Sequence, residues 1–393
     1  MILRRHIGRR LAEYYAQPAN QVVGTISTES VDFQSILGEW HWKRVYGKLY
    51  KEQQGQWLTP VELFRPHYSN VLANFIKKEA EGISEFHVVE LGGGRATNAR
   101  IILDRLQESP DVYDRVTSYT IVDASPTLHE YQKNSLQDGK HSHKLNFVLQ
   151  DLTQVAEGKA NLLSTSNDPT VVLGLELLDN LAHDKIRRTI SGKLEQAEVT
   201  TDSTGQLMEN FVPLTDKLLL QLLKTVPTMG SSQPFWFPSV ACGVLKHISD
   251  VRPNGIILLA DFDWLPQPDL DGERPQRKST WADGEPIVTD MNGIDYECFL
   301  HAPPLVDILF PTDFPKLAAF LRKTCIGQNV VTVTKQADFL HCFGETDIDL
   351  TKSWLSGYTP LLEDFGNCSI LTVSKRDTGK EKISRRKPAN KPT

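Results

Sequence analysis

The segment "VVELGGGRATNAR", Val88 to Arg100, decides how the chain is read. An apolar run carrying Glu90 near its end meets three consecutive glycines, and a stretch with helical spacing follows. Working outward, "FHVVEL" (86–91) reads as a buried strand, "ATNARIILDRLQE" as a helix and "VTSYTIVDAS" (116–125) as a second strand. "SPTLHEYQKNSL" then reads as a helix, "LNFVLQDL" (145–152) as a third strand and "PTVVLGLELLDNL" (169–181) as a fourth. Short strands alternating with helices predict βαβ units, hence an α/β fold with a parallel sheet covered by helices on both faces.

Beyond residue 182 the pattern changes. "GKLEQAEVTTDSTGQLMENFVPL" alternates around a turn, which predicts a hairpin, and "GIILLADFDWL" (255–265) predicts another buried strand. Pro266 to Glu297 is long, polar and rich in Pro and Gly, the composition of a lid or insertion. A helix, "DFPKLAAFLRKT", and a strand, "NVVTVTK", close the domain.

The glycine loop suits a ligand because a backbone without side chains can be approached closely, and the helix after it presents free N–H groups. A tight strand-to-helix turn explains a bare glycine triplet equally well. The dinucleotide pattern G-x-G-x-x-G fails, since Thr97 stands at its third glycine. The pattern present, Glu90-x-Gly92-Gly93-Gly94-x-Ala96, resembles the first motif of the S-adenosyl-L-methionine-dependent methyltransferases. Asp123 at the end of the second strand is then placed to accept from a ribose diol, and Asp151 after the third to accept from an adenine amino group. Either acid alone reads as a helix cap; the ordered set reads as a site. Glu176 and Asp179, after the fourth strand, suit a guanidinium, which carboxylates hold by paired charged hydrogen bonds and can deprotonate.

Composition sets the limits. With 393 residues, 40% hydrophobic and 23% charged, the chain is ordinary globular protein. Five scattered cysteines form no C-x-x-C pair, which predicts neither a disulfide framework nor a metal site. No apolar run reaches the ~18 residues of a membrane span. Both ends are basic, so the formal net charge of −6 hides a more acidic body, which favours a cationic partner and disfavours nucleic acid. The N-terminus, "MILRRHIGRRLAEYYAQ", is amphipathic, Arg-rich and acid-poor, the pattern of a mitochondrial import sequence. The C-terminus, "KRDTGKEKISRRKPANKPT", has the composition of a disordered basic tail.

At these residues the chain resembles the MidA-like methyltransferases, a family that includes a mitochondrial complex I assembly factor methylating a protein arginine. The family's E-I-G-P-G-R-G is similar to "ELGGGRATNARIILDRL", its E-F-F-D-A-L-P to "ELLDNLAH", and its L-x-I-D-Y-G to "ILLADFDWL" with Asp261 at the acid. An upstream family segment is similar to "QWLTPVELFRPHY", matching Thr59 and Glu62, and its Q-G-x-F-L element is similar to "TKQADFLHCFG". The departures are Ala96 at the third glycine, Leu177 and Leu178 at paired phenylalanines, Asn180-Leu181-Ala182 after Asp179, and Phe262-Asp263 after the late acid.

The resemblance implies a class I methyltransferase fold. Together with composition and patterning, it divides the chain into a targeting sequence and linker at 1–28, an N-terminal helical region at 29–81, the methyltransferase domain at 82–374 with insertions near 190–215 and 266–300, and the tail at 375–393. S-adenosyl-L-methionine is the implied cofactor, with Glu90, Gly92, Gly93, Gly94, Asp123 and Asp151 around it, and no metal. Glu176, Asp179 and Glu62 are the implied catalytic residues, the acceptor a protein arginine and the location the mitochondrial matrix. A homodimer is left open, and the competing reading is an assembly or binding factor that keeps the fold without catalysis.

Overall fold

A computed structural model describes residues 1–26, 30–52, 58–226, 233–265, 284–325 and 329–375. The basic tail from residue 376 and most of the expected lid, 266–283, lie outside the described residues. Fourteen strands are described, in chain order β1 Phe86–Leu91, β2 Val116–Asp123, β3 Leu145–Leu149, β4 Thr170–Leu175, β5 Asp184–Arg188, β6 Leu194–Thr201 and β7 Leu207–Pro213, then β8 Phe235–Phe237, β9 Ile256–Phe262, β10 Ile287–Asp290, β11 Asp295–Tyr296, β12 Val306–Leu309, β13 Val330–Lys335 and β14 Cys368–Ser374.

The central sheet runs β13-β14-β9-β4-β1-β2-β3, with β3, β2, β1, β4 and β9 mutually parallel and β14 antiparallel to β9 and β13. This is the class I methyltransferase arrangement. Strands of such a sheet are buried on both faces: Val88 packs into the core on one side and Val89 into the core on the other. Strand order reverses between β1 and β4, and a ligand crevice opens at such a switch point, beyond the carboxyl ends of the strands.

The hairpin expected near 190–215 is β6–β7, part of a four-stranded sheet β7-β6-β5-β8. Residues 287–309 hold a second small sheet, β11-β10-β12, whose β12 packs against the turn that follows β4. The fourth strand ends at Leu175, earlier than the apolar run suggests, because Glu176 turns the chain at φ +47.

Within residues 1–28, whose composition reads as a targeting sequence and linker, Leu3–Tyr15 forms a helix, α1, packed against the body. Its apolar stripe, Leu3, Ile7, Leu11 and Tyr14, is buried. Arg4, 1% exposed, reaches Glu157 at 3.0 Å, Asp184 at 3.0 Å and Asp216 at 2.8 Å. Arg10 donates to the carbonyl of Ala302 at 3.0 Å. Amphipathicity and arginine are common to import sequences and to helices that close a core over buried acids, so composition could not separate the two.

Candidate active site

A cavity of about 850 Å³ lies at the switch point, walled by the glycine loop, the ends of β2, β3 and β4, the small sheet β10–β12 and the last two turns of α1. The loop is held by its own chemistry. Gly92 adopts φ +70 and its N–H donates to the Val122 carbonyl at 2.8 Å. A Cβ at Gly93 would stand 2.3 Å from Ile121 Cγ2, so only glycine lets the loop lie against β2. Gly94 borders the cavity with nothing within 4 Å of an added Cβ, which is the room a ligand needs. Ala96, where the family pattern has glycine, takes the left-handed φ of +61, accepting strain that glycine would avoid.

Glu90 does not border the cavity. It is buried behind the loop, where Asn98 Nδ2 donates to Oε1 at 2.8 Å and the Tyr119 hydroxyl to Oε2 at 2.8 Å; burial pushes the carboxyl up to about 7. Its part in ligand binding is therefore indirect, through Asn98, whose Oδ1 has no partner among the described residues. Asp123 does border the cavity. Its oxygens accept from the Ser125 N–H at 2.9 Å and Gln132 Nε2 at 3.0 Å, and burial raises it to about 6. Asp151 sits exposed at the cavity edge and caps the helix Leu152–Ala156 through the Thr153 N–H at 2.7 Å, leaving its other oxygen outward of that cap.

Sequence reasoning missed Arg95. Its guanidinium lies 4.5 Å above the Tyr131 ring and donates to that hydroxyl at 2.7 Å, while Nη1 has no partner among the described residues. Arg95 and Asn98 both border the cavity, and a guanidinium donor and an amide acceptor suit the carboxylate and ammonium of an amino-acid moiety. The residues present thus fit S-adenosyl-L-methionine at both its amino-acid and its nucleoside ends.

The other half of the cavity is acidic. Glu176 and Asp179 line it, as expected, and Asp307 of β12 joins them. Asp261, 1% exposed at the end of β9, lies behind the wall, where its Oδ2 accepts the Leu178 N–H at 2.7 Å and the Asp179 N–H at 3.2 Å. It fixes the turn that presents Asp179. The Phe310 N–H donates to the Asp179 carbonyl at 2.9 Å, tying β12 to the same turn. Burial, then the neighbouring carboxylates, pushes Glu176 and Asp261 well above the usual range; burial raises Asp179, and burial beside Asp179 raises Asp307 to about 7. Glu62 also reaches the wall, but Arg65 Nη1 at 3.2 Å and the Thr25 hydroxyl at 2.7 Å occupy its Oε2, so it is already charge-paired. Asp307 had a readable signal, a lone acid inside the apolar run "PLVDILF".

A family described as "putative S-adenosyl-L-methionine-dependent methyltransferase" matches residues 69–332. The chain belongs to this family. Two crystal structures from Burkholderia thailandensis share the fold at 16% sequence identity, each covering 95% of this chain and 87% of its own. One is a "likely methyl transferase" bound to S-adenosyl-homocysteine, with a TM-score of 0.64; the other is a native structure of an uncharacterized protein, at 0.61. No curated protein matches the sequence. Among the described residues no helix is long and apolar enough to cross a membrane, and no cluster of His, Cys, Asp and Glu could hold a metal.

Proposed function

We propose that this methyltransferase acts on a cationic nitrogen acceptor, a protein arginine side chain. The observation that carries the reading is that Glu176, Asp179 and Asp307 converge on one wall of the cavity that the glycine loop also lines. Buried, crowded carboxyls hold their protons to higher pH because burial, and then the charge of their neighbours, disfavours the ionised form. A guanidinium entering between them reverses this, since its charge favours the ionised acids and its planar donors match them two by two.

When bound, the cofactor supplies an electrophilic methyl group on a sulfonium. Gly92–Gly94, Asp123 and Arg95 would hold and orient it. Glu176 and Asp179 would hold the acceptor nitrogen with its lone pair towards that methyl group. The proton lost from nitrogen passes to a carboxylate, for which the raised proton affinity of Glu176 suits it. Residence in the mitochondrial matrix is part of the proposal and rests on the composition of the N-terminus.

The test is transfer of labelled methyl from S-adenosyl-L-methionine to arginine-rich protein, followed by mass spectrometry of the modified residue. Glu176→Gln with Asp179→Asn should lower transfer by about 100-fold or more while S-adenosyl-homocysteine still binds. Unchanged transfer in that double variant, or label found only on non-basic acceptors, would remove the reading.

A further inference from the structure

The C-terminal turn of α1 touches both halves of the cavity. On the cofactor side, the Tyr15 carbonyl accepts from the Ser125 hydroxyl at 2.5 Å, and the Ser125 N–H donates to Asp123 Oδ1 at 2.9 Å. On the acceptor side, the Tyr15 hydroxyl donates to Asn180 Oδ1 at 2.6 Å and lies 3.4 Å from Asp307 Oδ2. Asn180 Nδ2 in turn donates to Asp179 Oδ1 at 2.9 Å. One hydroxyl proton cannot serve both acceptors fully, and the short contact takes most of it. The hydroxyl thus bridges Asn180, and through it Asp179, to Asp307, donating chiefly to Asn180 and more weakly to an ionised Asp307.

We propose that Tyr15 is a positioning residue of the transfer site: its hydroxyl, carried by α1, orients Asp307 and, through Asn180, Asp179 towards the acceptor. The helix Leu3–Tyr15 is then a working part of the enzyme. Three independent features support this. Gly8, Leu11, Ala12 and Tyr15 form cavity wall. Arg4 fixes the far end of the helix on three buried or half-buried acids, so the tyrosine is held rather than draped. The Asn180 amide carries both ends of the link, accepting from the Tyr15 hydroxyl at 2.6 Å and donating to Asp179 at 2.9 Å.

The groups facing this link are Asp307 of β12, Asp179 and Glu176 after β4, Asp261 of β9, Tyr14 and, beyond Glu176, Glu62 paired with Arg65. All but Arg65 are acids or phenols, so removing a donor raises the proton affinity of its neighbour. Orienting an arginine rests on the acceptor reading above, whereas control of Asp307 by Tyr15 does not.

The experiment uses the full chain loaded with S-adenosyl-homocysteine, with ¹³C-carboxyl titration of Asp307 assigned by Asp307→Asn, and methylguanidinium as the acceptor probe. Tyr15→Phe keeps the ring and should leave S-adenosyl-homocysteine binding within about twofold. It should move the Asp307 titration upward by roughly half a pH unit or more, because the donor to its ionised form is gone. It should also weaken the probe roughly tenfold at neutral pH. Asn180→Ala should move Asp307 the opposite way, since the freed hydroxyl proton turns to it. This second variant carries the test if the first does not fold. An Asp307 titration unchanged in both variants overturns the proposal. Shifts of the expected signs in a protein that never binds the probe uphold Tyr15 and overturn the cationic-acceptor reading instead.

Discussion

The two halves of the cavity are built on different principles. The cofactor half is local: Gly92–Gly94, Arg95 and Asn98 follow one strand, and Asp123 and Asp151 follow the next two. The acceptor half is assembled from remote pieces: Tyr15 and Asp307 are 292 positions apart in the chain, and Tyr15 and Asn180 are 165 apart. In the first half a repeating supersecondary unit places each group at a strand end. In the second, packing of an N-terminal helix and a small separate sheet brings the groups together. Cofactor binding should therefore survive most damage to the acceptor half, whereas the acceptor half depends on contacts that a few substitutions can undo.

The largest effect should come from breaking α1 away. Arg4→Ala leaves Asp184, 1% exposed, without its cation; a buried pair broken on one side costs about 3–5 kcal/mol. Thermal unfolding should show a drop of many degrees, and an Arg4→Ala protein as stable as the parent would mean that α1 is not held as described.

On the local side, Gly93→Val forces a side chain into Ile121 and should abolish S-adenosyl-homocysteine binding, a loss of about 100-fold or more by calorimetry. Asp123→Ala should weaken it by about 10- to 100-fold, as expected for a charged hydrogen-bond partner of about 1.5–3 kcal/mol. If Asp123→Ala binds normally, Asp123 serves only to brace Ser125 and Gln132.

A pH series probes both halves together. Glu90 and Asp307 are raised to about 7 and Asp123 to about 6, all above their unfolded values, so the folded chain holds protons that the unfolded chain has released. Stability contributed by these groups is therefore greatest at low pH and falls as pH rises from about 4 to about 7. Asp307→Asn should flatten that slope by about one proton's worth, and methylguanidinium should protect the protein more at pH 8 than at pH 5.5. Equal protection at the two values would separate the acids from acceptor binding.

The smallest effect is expected at Ala96→Gly. Relief of the left-handed strain opposes the greater freedom glycine gives the unfolded chain, so the net change should stay within about 1 kcal/mol.

Much of the sheet was legible because parallel strands in an α/β domain announce themselves as apolar runs of similar length between helices. β1 was readable to its ends, and β9 nearly so. β4 was overextended because Leu177 and Leu178 continue its apolar run, although the chain turns at Glu176. β12 was overlooked because it is only four residues long, and β14 because no glycine loop or acid motif marks it. Glu90 was assigned to the ligand because spacing cannot show which way a carboxylate turns. Tyr119, on the neighbouring strand, claims it.

By itself, then, the sequence determined the α/β class, the glycine loop between β1 and its helix, and the acids at successive strand ends. These follow from periodicity and near neighbours along the chain. Only the tertiary structure decided that the arginine-rich N-terminus closes the core, that Glu62 is neutralised by Arg65, and that Asp307 and Tyr15 complete the acceptor wall. Those outcomes depend on which distant surfaces bury one another. No local pattern encodes them, because the same amphipathic helix or buried acid can be satisfied by many partners until packing selects one.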